Sequence, residues 1–472
     1  MFKWLLLLIV YLPFQIALNP RPGFDLASLR IFIVLLFVIW LGKAIFSKLR
    51  IPGVLNLVSL KGLQNIGLFI FLFLSGFSLI GAENVSWGIR KLIFFLSIFP
   101  LYFLVIALVD NWLKIKKIIS ILVMGSGLIA LIGLVQFLSQ FVFGLERVYG
   151  FWAVNIVPIF SGFNLGAMIL AYPSWLVNIN GETILRAFSL FSDPHMLSFY
   201  IGLILPLAII LLYQTSEKNQ TKFSIIAPSP KRLWHASPAK VATADTVGDN
   251  FQFSIIFVSC FMLYVTCLLT FTRGAYFAII VTFLVMAGLF WRYLKAKKIV
   301  LLLCLSLLIF IIPGTPIFDR FYSSFDMSDG SNIGRLEMWQ QANQTGQEHF
   351  WQGVGLGNYS LLVDEDLGYR NPVTAHNLYL DIFSEIGFFG LTVWLILILG
   401  TMVQLFRQIR ITKGSDPAQG QTLMRIGLIG SLVYFSVHSF FETAIYSPSI
   451  LALLMIILGI STILTNKRLK LT

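Results

Sequence analysis

The sequence predicts an all-α polytopic membrane protein, with about twelve transmembrane helices and a large loop between helices 9 and 10. Of the 472 residues, 57% are hydrophobic and 12% are charged, whereas an ordinary soluble domain is roughly 45–50% apolar and about 25% charged. Apolar runs recur along the whole chain, and a helix needs about 20 such residues to cross a bilayer. These observations exclude an ordinary soluble fold.

The positions of the apolar runs predict twelve membrane spans. The first run follows Lys3 and has the look of a signal peptide, but it lacks a clear small-residue cleavage site, so we expect it to be retained as helix 1. The predicted spans are residues 3–18, 29–46, 64–81, 91–109, 117–142, 196–213, 253–271, 275–291, 299–313, 377–405, 426–442 and 449–465.

The net charge of +13 predicts the orientation of these helices rather than a nucleic-acid partner. Lys and Arg collect on the cytoplasmic side of membrane proteins. With the N-terminus in the cytoplasm, alternating spans leave 24 of the 34 Lys and Arg residues in cytoplasmic segments. We therefore predict that both termini are cytoplasmic, that the partners include membrane lipids, and that nucleic acid is not among them.

The predicted spans divide the chain into five parts. These are residues 1–142 with helices 1–5, the outer segment 143–195, residues 196–313 with helices 6–9 and a cytoplasmic linker at 214–252, the outer segment 314–376, and residues 377–472 with helices 10–12. The linker has several Pro, Ser, Thr and Lys residues and few apolar anchors, so we expect it to be flexible.

The two outer segments differ in character. In residues 143–195, an apolar stretch from Asn164 to Val177 is interrupted by Pro173. An even number of crossings must separate helices 5 and 6, so we expect this stretch to be re-entrant or interfacial. Residues 314–376 are polar and aromatic and are too long for a simple connection. Their aromatic content argues against disorder.

Three polar side chains are predicted to meet at the outer ends of the spans. Arg186 precedes helix 6, Arg273 lies between helices 7 and 8, and His376 precedes helix 10. An Arg at the membrane edge is costly unless it is paired or faces a polar cavity, and its guanidinium group matches two phosphate oxygens. The alternative for each Arg is a structural one, in which the side chain extends to lipid phosphate.

His376 is the best candidate for a catalytic group, because imidazole titrates near neutral pH and serves as a general base. The alternative is a histidine near a helix cap without chemistry. His195 follows a proline near Arg186 and is a second polar candidate. His438 and Glu442 are four residues apart in span 11, so we expect them to share a helix face and to pair structurally.

Nucleotide and metal sites find little support in the sequence. The run GVGLGN at Gly353, Gly355 and Gly357 has no preceding strand, so it predicts a tight loop with close backbone approach rather than a phosphate loop. The three cysteines have no metal-ligand spacing. The acidic run Asp364–Asp366 is typical of a solvated surface, with a divalent-ion site as the alternative.

The chain resembles the O-antigen ligase and O-antigen polymerase superfamily of bacterial inner-membrane glycosyltransferases. The most specific element is His376-Asn377 followed by nine residues, Gly387, two residues and Gly390. This spacing is the pattern associated with O-antigen ligases.

Two further features carry the resemblance. Arg335 and Trp339 in GRLEMWQQA, followed by GVGLGN, resemble the periplasmic loop of the family. Arg186 and Arg273 occupy the places of the family's two periplasmic arginines. His195 departs from the pattern, because relatives often have Asn there.

The resemblance implies transfer of a glycan on the periplasmic side of the inner membrane. The donor would be a polyprenyl-diphosphate-linked glycan, and the acceptor a sugar hydroxyl of lipid A-core or of another lipid-linked glycan. Arg186 and Arg273 would bind the diphosphate and His376 would deprotonate the acceptor, without a metal, a nucleotide or another cofactor. Asn377, Arg335, Trp339, Gly387 and Gly390 would support the site.

Two alternatives to a ligase remain open at the level of sequence. The first is a polymerase of the same family, which uses the same donor and a different acceptor. The second is a membrane transporter, because some relatives have been labelled bicarbonate transporters. The sequence shows no internal symmetry of the kind that many transporters have, and its polar residues lie at the ends of the spans, so transfer chemistry is favoured.

Overall fold

The structure, a computed structural model, describes most of the chain as a bundle of long helices. The described residues are 1–21, 24–46, 62–162, 174–179, 181–226, 244–294, 296–326, 328–363, 373–411 and 416–466. Among these residues, nine helical segments are long and apolar enough to cross a membrane. A helix satisfies its backbone hydrogen bonds internally, as hydrocarbon surroundings require. The prediction of a helical membrane protein is thus confirmed.

The nine segments coincide with predicted helices 2–8, 10 and 12. They are Ser28–Phe46, Leu63–Gly81, Val85–Leu108, Trp112–Phe143, Pro194–Ser216, Phe251–Leu269, Arg273–Arg292, Leu378–Ile411 and Pro448–Thr465. The other three predicted spans are also helical, at Phe2–Phe14, Lys297–Phe310 and Asp416–His438. The first two of these are shorter than a full crossing, so the total of twelve spans stays a prediction.

The regular elements are numbered in chain order. They are α1 Phe2–Tyr11, β1 Ala17–Arg21, β2 Phe24–Ala27, α2 Ser28–Phe46, α3 Leu63–Phe77, α4 Val85–Ile98, α5 Pro100–Leu108, α6 Trp112–Phe143, α7 Leu145–Phe151, α8 Val157–Ser161, β3 Leu176–Ile179, β4 Glu182–Leu185, α9 Pro194–Ile226, α10 Ala244–Leu269, α11 Arg273–Leu289, α12 Lys297–Ser306, α13 Pro316–Tyr322, α14 Gly330–Glu348, α15 Tyr359–Val363, α16 Leu378–Ile411, α17 Asp416–His438 and α18 Pro448–Thr465. Short 3₁₀ or π turns extend several of them, at Leu12–Phe14, Ser78–Gly81, Trp152–Ile156, Phe290–Leu294, Leu307–Phe310, Ser323–Phe325 and Ala444–Tyr446.

Two small antiparallel hairpins correct the expectation of an all-α fold. β1 pairs with β2, and β3 pairs with β4. The first hairpin also corrects the predicted span 3–18, because helical structure ends at Phe14 and the chain is extended from Ala17. Pro13 lies at this end, and a proline removes a helical hydrogen bond and clashes with the preceding turn.

The connecting segments are more helical than the sequence predicted. The outer segment 314–376 contains α13, α14 and α15, and the outer segment 143–195 contains α7 and α8. The linker 214–252 is helical up to Ile226 and again from Ala244, so these parts are not the flexible coil that was expected. Residues 227–243, the acidic run Asp364–Asp366 and most of the Asn164–Val177 stretch lie outside the described residues.

The core of the bundle lies around α9, α11, α17 and α18. α9 packs against α10 and α17, α11 packs against α17, and α18 packs against α5. Of the most apolar window in α18, 89% of the residues are buried, against 28% in α2. α18 is therefore a central helix, whereas α2 presents most of its apolar side chains to the surroundings.

A kink at Gly387 divides α16 and receives a loop. Gly387 has φ 77° and ψ −172°, so the helix is interrupted there. The chain that follows α14 replaces the lost helical hydrogen bonds: the Val354 N–H donates to the Ser384 carbonyl at 2.8 Å, and the Phe388 N–H donates to the Phe350 carbonyl at 2.8 Å. The predicted close backbone approach of GVGLGN is confirmed, because a Cβ on Gly353 would lie 2.4 Å from the backbone of Glu385.

We predict that Gly387→Ala lowers the melting temperature of the detergent-solubilised protein. A Cβ at this position would lie 2.4 Å from the Trp351 carbonyl oxygen, and the backbone conformation alone costs a residue other than Gly about 1–3 kcal/mol. Gly288→Ala is the matched control, because Gly288 lies in α11 with no neighbour within 4 Å of a new Cβ. Equal melting temperatures for the two variants would contradict the role of the kink.

Candidate active site

Four helices begin around one cavity. α9 begins at Pro194, α11 at Arg273, α14 at Gly330 and α16 at Leu378, and each contributes a residue at or next to its N-terminal end to the cavity wall. The N-terminus of a helix carries partial positive charge and unpaired N–H groups. The arrangement therefore favours an anion at the ends of three candidate membrane spans.

The cavity has a volume of about 640 Å³, which is within the usual range for sites that take small molecules. It brings together six of the residues that the sequence singled out, namely Arg186, Arg273, Arg335, His195, His376 and Glu442. It also contains Asp193 and Arg320, which the sequence analysis did not single out. Asn377, Trp339, Gly387, Gly390 and His438 are not in its wall.

His376 and Glu442 form a close pair in this wall. The Nδ1 atom of His376 lies 3.0 Å from both carboxylate oxygens of Glu442. A carboxylate only accepts hydrogen bonds, so Nδ1 carries the proton and donates it, and Nε2 is left as the basic nitrogen. The side chain of His376 is 41% exposed, against 10% for Glu442. The histidine is thus open to a substrate, while its partner is not.

The charge of Glu442 raises the pKa of His376 above its ordinary value of 6.5, against the opposing effect of burial. The partner also fixes the ring orientation of the histidine. His376 itself has φ 47°, a left-handed conformation that residues with side chains seldom adopt and that is concentrated at functional sites. These features are those of an oriented general base.

Arg186 is buried and is held by carbonyl and hydroxyl oxygens. It donates from Nε to the Thr270 carbonyl at 2.7 Å, from Nη1 to the Ser174 carbonyl at 2.8 Å, and from Nη2 to the Thr272 hydroxyl at 2.9 Å. No carboxylate in the described part of the chain forms an ion pair with it. Burial lowers the pKa of Arg186 to about 9. A buried cation without a carboxylate is well suited to an anionic ligand.

Two glutamines of α6 hold the segment that carries Arg186. Gln140 accepts from the Leu185 N–H at 2.7 Å and donates to its carbonyl at 2.9 Å. One turn earlier, Gln136 donates to the Arg186 carbonyl at 3.1 Å and accepts from the Phe188 N–H at 3.0 Å. The sequence analysis missed these residues, although two amides one turn apart in an apolar span are a usable signal.

Arg273 lines the cavity, and its partners lie just outside the cavity wall. Its Nη2 lies 2.5 Å from Asp329 Oδ2, and its Nη1 donates to Asn332 Oδ1 at 2.6 Å. Its buried Nε has no hydrogen-bond partner among the described residues. Arg273 is therefore not a lipid-facing side chain, and the described residues do not satisfy all of its N–H groups.

Two more arginines add positive charge to the cavity. Burial and the nearby Arg273 lower the pKa of Arg320 to about 10, and its Nε donates to the Phe271 carbonyl at 3.2 Å. Burial also lowers the pKa of Arg335, against the effect of Glu442. Arg320 was missed because it lies in α13, a short helix inside the predicted loop.

The remaining predicted residues support the site from outside the cavity. Asn377 caps α16, because its Oδ1 accepts from the Tyr379 N–H at 3.0 Å. Trp339 lies one turn after Arg335, and its ring is 6.4 Å from that of Phe441, the residue before Glu442. Gly387 forms the kink described above, and Gly390 lies three residues later, in the part of α16 that follows the kink.

The predicted pairing of His438 with Glu442 is wrong. α17 ends at His438, so the two residues no longer share a helix face. His438 is buried, stacks on Phe199 with ring centroids 3.7 Å apart, and has no hydrogen-bond partner among the described residues. His195 lies closer to the pair, with Nδ1 3.8 Å from Glu442 Oε2.

Comparison with protein-family models finds one domain in this chain. Residues 257–395 match the family model described as O-antigen ligase, which confirms the resemblance seen in the sequence. The matched range extends from α10 into α16, so it contains Arg273, Arg335 and His376 but neither Arg186 nor Glu442. The family is one of glycosyltransferases of polysaccharide biosynthesis. No curated protein matches the chain.

We predict that Glu442→Gln lowers the pKa of His376 toward 6.5. The negative charge of Glu442 stabilises the protonated imidazole, so its removal favours the neutral form and the ring loses its proton at lower pH. The measurement is an NMR titration of histidine-labelled protein, with the His376 signal assigned from His376→Ala. His438→Ala is the control, and we expect it to leave the titration of His376 in place. An unchanged His376 midpoint in Glu442→Gln would contradict the pairing.

Proposed function

We propose that this chain, whose residues 257–395 match the O-antigen ligase family model, transfers a glycan from a polyprenyl-diphosphate carrier to a sugar hydroxyl of lipid A-core. The observation that carries the proposal is the His376–Glu442 pair in the wall of an arginine-lined cavity. The family match supports a glycosyltransferase, and the cavity suggests which groups act. We further propose that the cavity faces the periplasm, with the helices in the bacterial inner membrane.

The arginines suit the donor. A diphosphate leaving group is negatively charged. Further negative charge develops on the phosphate oxygen that is bonded to the sugar as that bond breaks. Arg186 and Arg273 border the same cavity, and each retains N–H donors. Fixed donors aimed at developing charge stabilise a transition state without reorganisation. The diphosphate is therefore a good leaving group in this site.

The histidine suits the acceptor. His376 Nε2 takes the proton of the acceptor hydroxyl while Nδ1–H donates to Glu442, whose charge stabilises the imidazolium that forms. The acceptor oxygen bonds to the anomeric carbon, and the bond from that carbon to the diphosphate oxygen breaks. The polyprenyl diphosphate leaves, and a single displacement inverts the anomeric configuration. The donor is already activated, so the proposed reaction uses no ATP and no metal.

The decisive test is transfer by purified protein in detergent. The assay supplies polyprenyl-diphosphate-linked glycan and lipid A-core without ATP, and compares the wild type with His376→Ala. We expect His376→Ala to lose at least about 100-fold in rate, because an oriented general base contributes about 10²–10⁴-fold. His349→Ala is the control, since His349 is exposed at the end of α14 and is expected to keep full activity.

The products distinguish the alternatives. A longer lipid-linked glycan in place of modified lipid A-core would indicate a polymerase. Wild-type activity in His376→Ala would remove the base from the mechanism. Absence of either product, together with bicarbonate uptake by liposomes that contain the protein, would favour a transporter instead.

We predict that Arg186→Lys and Arg273→Lys each lower kcat about 10²-fold, the usual effect of removing one donor to a developing oxyanion. A lysine keeps the charge but cannot reproduce the planar arrangement of N–H groups. Arg147→Lys is the control, because Arg147 is exposed on α7 and does not line the cavity. Steady-state kinetics with the same donor and acceptor measure the effect. Equal rates for all three variants would argue against a role of the cavity arginines.

A further inference from the structure

A carboxylate behind the cavity joins the two segments that carry His376 and Glu442. Asp381 lies in the first turn of α16, is 2% exposed and does not line the cavity. Its Oδ1 accepts from the Ala375 N–H at 2.8 Å. Its Oδ2 accepts a short hydrogen bond from the Thr443 hydroxyl. Ala375 directly precedes His376, and Thr443 directly follows Glu442.

Further bonds tie the same segments together. The Thr443 N–H donates to Glu442 Oε1 at 3.0 Å, so the position of Thr443 also sets the rotation of the glutamate. The Leu378 N–H donates to the Ser439 carbonyl at 2.9 Å. The start of α16 and the turn after α17 are thus held by a short network, in which the Asp381 side chain contacts both segments.

The role of Asp381 differs from that of the other carboxylate on this face of α16. Glu385, one turn later, forms an ion pair with Lys91 at 2.7 Å. Asp381 has no such ion pair among the described residues, and its partners are an N–H and a hydroxyl next to the pair. A buried carboxylate without an ion pair depends on hydrogen bonds, and those of Asp381 come from the residues next to His376 and Glu442.

We propose that Asp381 is a positioning residue, which holds His376 and Glu442 at their contact distance through Ala375 and Thr443. The inference rests on the proposed function and assigns Asp381 no contact with substrate. His376 has a left-handed backbone, and such a conformation persists only where its surroundings impose it. The bond from Ala375 to Asp381 supplies that constraint on one side, and the Asn377 cap supplies it on the other.

The test is a double-mutant cycle between Asp381 and Glu442. Asp381→Ala lowers kcat by about 10–100-fold, the scale of effect that misplacement by about 1 Å produces, while the donor KM stays at the wild-type level. In a Glu442→Gln background, Asp381→Ala lowers kcat by a smaller factor than in the wild type, because the contact between His376 and Glu442 is already broken and only the constraint on the His376 backbone is left to lose. Multiplicative effects of the two substitutions on kcat overturn the proposal.

If Asp381→Ala does not fold, two milder variants test the same proposal. Asp381→Asn keeps most of the wild-type kcat, because the amide oxygen accepts from the Ala375 N–H and the amide NH₂ donates to the Thr443 hydroxyl oxygen. Thr443→Val keeps the shape of the side chain but removes its hydroxyl, and it lowers kcat in the wild type and has little effect in Glu442→Gln. Full activity of Thr443→Val and Asp381→Ala overturns the proposal.

Glu385→Gln is the matched control for the loss of a buried carboxylate from α16. It breaks the ion pair with Lys91 and lowers the melting temperature, and its effect on kcat multiplies with that of Glu442→Gln. Failure of the proposal for Asp381 can be distinguished from failure of the proposed function as a whole. Activity in His376→Ala removes the base itself, whereas an inactive His376→Ala with a multiplicative cycle removes only the role of Asp381.

Discussion

The contact between His376 and Glu442 is the interaction on which the site depends. The two residues are 66 positions apart, so α16 and α17 must pack side by side and both must end at the cavity. α17 ends at His438, and the chain then turns so that Glu442 reaches the histidine. The end of a helix, rather than its interior, therefore creates the pair.

Positive charge is the second constraint on the cavity. Four arginines border it, and three carboxylates balance them only in part: Asp193 and Glu442 in the wall, and Asp329, which pairs with Arg273. Burial and mutual repulsion lower the pKa of Arg186 and of Arg320. Charge of one sign is costly to collect at a membrane boundary. An anionic ligand relieves that cost, so the arginines favour an anion in the cavity.

The sequence predicted the features that a bilayer imposes and missed those that depend on tertiary contacts. Apolar runs had to become helices, and Arg186, Arg273 and His376 had to lie near span ends, so these positions were predictable. The partner of His376 was not, because helical spacing paired Glu442 with His438 and the end of α17 is set by packing. The helices inside residues 314–376 and the strand that ends at Leu185, just before Arg186, were missed for a similar reason, since short elements are stabilised by neighbours rather than by periodicity.

The spacing between His376 and Gly387 relates the position of the histidine to the kink in α16 where the loop after α14 docks. Eleven residues make about three helical turns, so the kink lies about three turns from His376. There the backbone of α16 accepts and donates hydrogen bonds to the chain that follows α14, which includes Phe350 and Val354. α14 carries Arg335 and Trp339, so docking at the kink also fixes that helix against α16. A side chain at Gly387 would meet the backbone of Trp351 in that loop, so the glycine lets α14 dock with Arg335 in the same cavity wall as His376.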